Sequence, residues 1–458
     1  MATSSGPAAG DASGPAGAAS PDRPFGIWTA TALVVGGMIG AGIFMLPASI
    51  APFGWTSVIG WLIAISGVLA LAFALSKLSA TMPEAPGAIA VTGAVLGPLP
   101  ALLVGWAYWI SCWAGSAGLA IAAISYLSVP VPALNATPLT GAASAIALLW
   151  LITLLNVGGA RAAGRFQVAT TLLKLIPLAM VLGILAWLAL AGDAPLAPLP
   201  RAGTLLTGLG NVVVLALFPF LGFEVANMAA ERVRDPARNI VRATMAGTAF
   251  VGLLYLVVCS GIVLIMGPGL VASDAPIALF VERFWGRGAA VLVALFASVS
   301  AIGCLNCWVL IQAEVPLGMA RTGLLPPWFA RVSSRDVPTR VLILSSMLAT
   351  ALILSYASGS LGGIYLFIAL LTTCTALWVY AAICVAALIR RVAVPAAAIG
   401  LAFTAWAMWG AGLEPTLLGL ALTVTALPLY LLRPRQAPPL LLVRPEPLLV
   451  GPEPVPGI

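Results

Sequence analysis

Three ionisable side chains, Lys174, Glu224 and Glu314, lie inside otherwise apolar stretches of this 458-residue sequence. A charge in such surroundings is costly and marks a substrate, ion or proton site by default. Glu224 is the leading candidate, with no basic residue close to it in sequence. A buried carboxylate suits a proton-linked switch; its plainer reading is a structural carboxylate held by loop N–H groups. Lys174 either trades a proton from an apolar site or snorkels its ammonium to the interface. Glu314 reads as a helix-end or gate residue. The sequence has no histidine, so any proton step must use a carboxylate or a lysine.

The same inventory argues against an enzyme. Without histidine no Ser/His/Asp set exists, and no dense carboxylate cluster offers a metal site. The six cysteines (Cys112, Cys259, Cys304, Cys307, Cys374, Cys384) all fall in apolar runs. Cys304 and Cys307 form a lone Cys-x-x-Cys, without the second ligand pair that a zinc site needs. No metal and no cofactor is expected.

The elements that would position these groups are membrane helices. Hydrophobic residues make up 61% of the chain and charged residues 8%, against roughly 25% charged in soluble proteins. Apolar runs of about 20 residues recur from end to end. Twelve spans are expected, at about 27–50, 55–78, 97–128, 140–158, 167–190, 205–230, 240–267, 288–320, 339–356, 361–389, 395–411 and 415–432. Residues 1–23 and 433–458 are Ala/Gly/Ser/Pro-rich and Pro-rich tails, expected to be disordered; the first lacks the pattern of a cleaved signal. With the N-terminus cytoplasmic, 17 Lys and Arg fall on that side and 3 (Arg201, Arg283, Arg287) on the other. This bias places both termini in the cytoplasm, and the net charge of +7 is topogenic and not a sign of nucleic-acid binding. Nineteen arginines against two lysines, with abundant Ala, Gly and Pro, suggest a GC-rich bacterial genome and hence an inner membrane.

Two spans are interrupted. Span 1 carries Gly36-Gly37-Met38-Ile39-Gly40-Ala41-Gly42 followed by Pro47, and four glycines in seven residues weaken a helix by roughly 1 kcal/mol each. Close packing of small residues is one reading. The other, favoured by mid-span clustering, is an unwound stretch whose N–H and C=O groups face a polar cavity. Span 6 carries Phe218-Pro219-Phe220-Leu221-Gly222-Phe223-Glu224, with Pro, Gly and a carboxylate at mid-span. Interruptions at the first span of each five-helix half point to an inverted-repeat transporter with a midplane site. Half-helix N-termini there suit a carboxylate, and freed carbonyls suit an ammonium.

The glycine motif of span 1, the Gly-x-Glu of span 6 and the loop Arg234-Asp235-Pro236-Ala237-Arg238-Asn239 together resemble the amino acid–polyamine–organocation permeases. The strongest likeness is to the basic amino acid/polyamine antiporters, such as the arginine/agmatine antiporters, over about 90% of the chain. The resemblance implies a leucine-transporter-like fold: repeats at about 27–190 and 205–389, two extra helices at about 395–432, and alternating access. By position it implies that Ile39, Gly40, Ala41 and Gly42 hold the substrate carboxylate, and that Leu221 and Gly222 take its α-amino group. Phe218 would gate, Trp308 would stack on the substrate, and Tyr108 and Tyr380 would be further gate aromatics. Ser111, Cys112 and Ser116 would read the side-chain end. Gly37, Ala41 and Ser116 replace polar residues of the arginine/agmatine antiporters, so arginine selectivity is not carried over. A lysine at the position of Lys174 resembles proton-coupled members, where its ammonium replaces a sodium ion. Many relatives are dimers, although no interface is visible in this sequence.

The expectation is therefore a secondary transporter for amino acids, cationic ones or related amines favoured, acting as an exchanger. Proton-coupled symport or export of neutral amino acids through Lys174 is the alternative. A channel or a sensor built on a transporter fold is the reading from another class, disfavoured by the paired breaks.

Overall fold

A computed structural model of the chain describes residues 26–40, 42–82, 85, 87–158, 173–192, 196–200, 208–224, 233–355, 357 and 359–432. Both expected tails, Ala41, and the ends of spans 5 and 6 at 167–172 and 225–230 lie outside the described residues. Among the described residues the regular elements are all helical.

The first span is two helices, α1 (Ile27–Met38) and α2 (Gly42–Ile50). They are followed by α3 (Thr56–Thr81), α4 (Gly87–Leu96), α5 (Pro98–Leu127), α6 (Pro138–Val157), α7 (Leu175–Ala191) and α8 (Leu209–Leu217). The second half comprises α9 (Pro236–Met266), α10 (Pro276–Arg321), α11 (Thr339–Ser355), α12 (Leu361–Ile389), α13 (Val394–Gly410), α14 (Leu413–Val424) and α15 (Leu427–Leu431). Among the described residues seven helices are long and apolar enough to cross a membrane, or eight with α1 and α2 taken as one bent span. The helices α7, α8, α11 and α13 are shorter apolar segments that fall within the other expected spans.

Local chemistry fixes the ends. Proline opens α5, α6, α9 and α10, where its missing N–H costs nothing. Thr137 and Thr140 form a reciprocal cap on α6, and the Ser360 hydroxyl accepts from the Gly363 N–H at the start of α12. Two boundaries differ from the sequence reading. The helix α4 was not expected, and α10 begins at Pro276, twelve residues before the expected 288. Its early turns carry Glu282, Arg283 and Arg287, which interrupt the apolar run, and Gly286 (φ 80°) kinks it there.

Among the described residues the core is one large apolar cluster, with a small separate one formed by Ala30, Val233, Ile240 and Ala243. At the centre of the large one α5, almost wholly buried, packs against α10, α12, α4, α6 and α11. A second group is formed by α1, α3, α8 and α9. Its aromatic centre is Trp61, Phe220 and Tyr255, with ring centroids 5.7–6.0 Å apart, each contact contributing about 0.5–1.5 kcal/mol beyond area burial. Helix–helix approach elsewhere relies on small residues: a Cβ on Gly410 of α13 would lie 2.8 Å from the Gly210 carbonyl of α8.

Candidate functional site

The two interruptions meet. The axes of the bent first span diverge by 48° across the break. Span 6 passes from α8 through a tight turn at Phe218–Phe220 into Leu221-Gly222-Phe223-Glu224. Gly222 has φ +108°, and a Cβ on it would fall 2.7 Å from the Gly37 carbonyl oxygen. Glycine is required there twice, for the backbone angle and for the approach of one bare backbone to the other. Gly42 meets Pro219 and Phe218 in the same way, with an added Cβ 3.0 Å from Pro219 Cβ.

Carbonyls that α1 releases find donors from other helices. Lys174, at the start of α7, is buried, and its ammonium donates to the Gly36 carbonyl at 3.1 Å. A cation at the C-terminal end of a half-helix is favoured by the dipole. The side chain is turned into the protein and not out to its surface. The Tyr255 hydroxyl donates to Met38 O at 2.8 Å. In α2, Tyr126 donates to Phe44 O at 2.6 Å and Tyr365 to Gly42 O at 3.4 Å. Pro47 has no N–H for the Ile43 carbonyl, which the Cys259 thiol approaches at 4.0 Å. The three tyrosines escaped the sequence reading. A tyrosine in an apolar helix reads as packing, and only the tertiary partner shows that its hydroxyl caps a broken backbone.

The carboxylate of Glu224 is buried beside the second break. Its Oε1 accepts from the Tyr108 hydroxyl at 3.1 Å, and its Oε2 from the Gly222 N–H at 3.1 Å and the Tyr380 hydroxyl at 3.4 Å. The ring of Tyr380 packs on Phe223 with centroids 5.0 Å apart. Three residues singled out in the sequence thus converge on one carboxylate. Glu314 is exposed on α10.

A small cavity of about 30 Å³ lies where the breaks meet. Gly37, Gly40 and Gly42 line it from span 1, Phe218 and Leu221 from span 6, and Trp308 from α10. Ile39 is buried at the break without lining this cavity, and Ala41 lies outside the described residues. Gly115 makes room for the indole, since a Cβ there would come 2.9 Å from Trp308 Cζ3. Cys304 packs its sulfur on the break, 2.8 Å from a Cβ built on Gly40. Phe218 stands edge-on to Tyr365, with ring centroids 5.8 Å apart. Sequence reasoning missed Gly115, Leu119 and Cys304, which line this cavity as small or apolar residues with no signal of their own.

Ser111, Cys112 and Ser116 do not line it. The Ser111 hydroxyl donates to Tyr108 O at 2.7 Å and that of Ser116 to Cys112 O at 3.0 Å, so both are turned onto their own helix. Tyr108, Tyr380 and Glu224 instead line a second cavity of about 90 Å³. Its walls come from α3, α4, α10 and α12, through Leu75, Ile89, Val315 and Ile383. Among the described residues no group of three or more metal-ligating side chains forms.

Comparison with known proteins gives a consistent picture. A family profile described as amino acid permease matches residues 25–440. The chain is 32% identical over 349 residues to a cadaverine/lysine antiporter of Escherichia coli (strain K12), covering 74% of this chain and 77% of that protein. It is 31% identical over 331 residues to an arginine/ornithine antiporter of Pseudomonas aeruginosa, with coverages of 69% and 68%. The putrescine transporter PotE of Escherichia coli (strain K12) is 28% identical over 427 residues, 90% of this chain and 96% of that protein.

Proposed function

Because the chain belongs to the amino acid permease family, we propose that it exchanges an amino acid for another amino acid or a related amine across the bacterial inner membrane, by alternating access. The family members matched are membrane transporters and not enzymes, and their substrates are small molecules. The observation that carries the reading is the contact of Gly222 with Gly37, which brings both helix breaks to one cavity beneath Trp308. Free N–H groups at the start of α2 suit a carboxylate, and carbonyls near Leu221 suit an α-amino group. Cationic substrates are favoured by the names of the relatives and by an aromatic face, worth roughly 0.5–2 kcal/mol to a cation.

In this reading twelve spans form two inverted five-helix repeats and two further helices, with both termini cytoplasmic. Phe218 and Trp308 cover the substrate. Glu224, tied to Tyr108 and Tyr380, couples protonation to opening on the N-terminal side. A second reading, proton-coupled transport of neutral amino acids, is favoured by the bond from Lys174 to Gly36 O. Such a lysine ties the end of α1 to the start of α7.

Counterflow in proteoliposomes tests the proposal. Saturable uptake of labelled lysine, ornithine, cadaverine or a neutral amino acid, stimulated by substrate on the far side, is expected. Flux that does not saturate over a hundredfold range of concentration would indicate a channel. Saturable uptake that needs a proton gradient and ignores internal substrate would select symport.

A further inference from the structure

Two of the three basic residues expected on the side opposite the N-terminus, Arg283 and Arg287, lie close together near the start of α10. Positive charge on that side opposes the insertion bias that the other 17 follow. Contacts with neighbouring helix ends fix both at that end of the molecule. Arg287 donates to the Val129 carbonyl, just past the end of α5, at 2.8 Å and pairs with Glu282 at 3.3 Å. Its charge is matched within the protein. Arg283 differs. Its Nη1 reaches the Met266 sulfur, at the end of α9, at 3.9 Å, and its guanidinium carbon stands 5.9 Å from the Phe284 ring centroid. A thioether is a weak acceptor, so most of the guanidinium fork faces outward for another partner. Among the described residues no carboxylate forms an ion pair with Arg283.

The surroundings suit a membrane surface. Gly286, with φ 80° and ψ 176°, separates residues 276–285 from the long span of α10. In that leading piece Ile277, Ala278, Phe280 and Val281 are buried, while Arg283 and Trp285 are exposed. The Trp285 indole rests on α7, where a Cβ on Gly183 would meet its Cη2 at 3.5 Å. Trp187, one turn nearer the end of α7, is exposed as well. Indoles gather at the headgroup level of a membrane, and a guanidinium takes phosphate oxygens through paired N–H groups. A zwitterionic headgroup carries its own cation, so an unmatched arginine favours a lipid of net negative charge. We infer that Arg283, with Trp285 and Trp187, is a docking site for the phosphate of an anionic phospholipid in the leaflet opposite the N-terminus. The phosphate takes the outward N–H groups of Arg283, and the acyl chains run down the seam where α7 packs along α10. The site shares no residue with either cavity.

The test is native mass spectrometry of the full-length protein, titrated in detergent with phosphatidylglycerol or with phosphatidylcholine of the same chains. The wild type should bind its first phosphatidylglycerol at least about tenfold more tightly than phosphatidylcholine. Arg283→Gln loses a charge-assisted hydrogen bond and should weaken that first binding by about tenfold or more, with Arg283→Lys in between. Arg331→Gln removes an exposed arginine between α10 and α11, at the other face of the membrane, and should bind as the wild type does. A photo-crosslinking phosphatidylglycerol should label residues 276–287 in the wild type and not in Arg283→Gln. Wild-type affinity or labelling in Arg283→Gln, equal binding of phosphatidylcholine, or an equal loss in Arg331→Gln would each overturn the site. Displacement of the lipid by excess inorganic phosphate would make it a site for the free anion and overturn the lipid assignment.

Discussion

Gly40→Ala isolates the packing of the first break, because a methyl there has one close neighbour. The built Cβ lies 2.8 Å from Cys304 Sγ and 3.8 Å from Cys304 Cβ, and the third-nearest atom, Met38 O, is 3.9 Å away. The backbone at Gly40 is not in the left-handed region, so alanine adds bulk without torsional strain. Over-packing of this kind costs about 1–3 kcal/mol. Cys304→Ala removes the sulfur and leaves 3.8 Å, ordinary van der Waals contact. The double variant should therefore recover most of the loss, with an interaction term of at least about 1 kcal/mol in the cycle. The assay is thermal unfolding of the four purified proteins in nanodiscs, paired with initial exchange rates. A tenfold rate loss corresponds to about 1.4 kcal/mol. Gly222→Ala is the internal contrast: its methyl meets the backbone of Gly37 at 2.7 Å, which no side-chain deletion relieves. Strictly additive defects in Gly40→Ala and Cys304→Ala would refute the reasoning, since they would mean the sulfur does not rest on the break.

Trp308→Ala should abolish substrate binding at the midplane with little loss of folded protein; unchanged affinity in a thermal-shift titration would remove Trp308 from the site. Glu224→Gln keeps the shape and the phenol contacts but cannot ionise, so the pH dependence of exchange should flatten; a wild-type pH profile would end its coupling role. Gly115→Ala should push the indole towards the substrate, raising KM tenfold or more for bulky substrates and less for small ones. Equal changes across a size series would show that the indole does not move into the cavity.

The breaks themselves were legible in the sequence, because glycine and proline clusters disfavour helix by local chemistry alone. Glu224 and Lys174 were legible as rare charges in apolar runs. Their partners were not. Resemblance marked Tyr108 and Tyr380 as gate aromatics, but their convergence on Glu224 appears only in the fold, since each sits in its helix as an ordinary aromatic. Ser111 and Ser116 show the opposite limit. A hydroxyl in a helix either faces a cavity or bonds back to its own carbonyl, and composition does not distinguish the two. The helix α4 was missed because its ten uncharged, mostly apolar residues are too few to span a membrane.

The placement of Lys174 and Glu224 gives the two breaks a mechanical connection. Lys174 holds Gly36; Gly37, next in chain, is in contact with Gly222; Gly222 donates its N–H to Glu224. Each link involves backbone whose helix is interrupted, so a change in charge at one end alters the geometry offered to the other. A charge-assisted hydrogen bond is worth about 1.5–3 kcal/mol, and part of that is expected to appear as coupling. Exchange rates measured from pH 5 to 8 in Lys174→Met, Glu224→Gln and the double variant would read it. If the breaks act as one unit, the double variant should be no more impaired than the worse single variant, a departure from additivity of about 0.5–3 kcal/mol. Multiplicative rate losses at every pH would mean that the two ionisable groups act on separate steps, and that contact between the breaks transmits nothing.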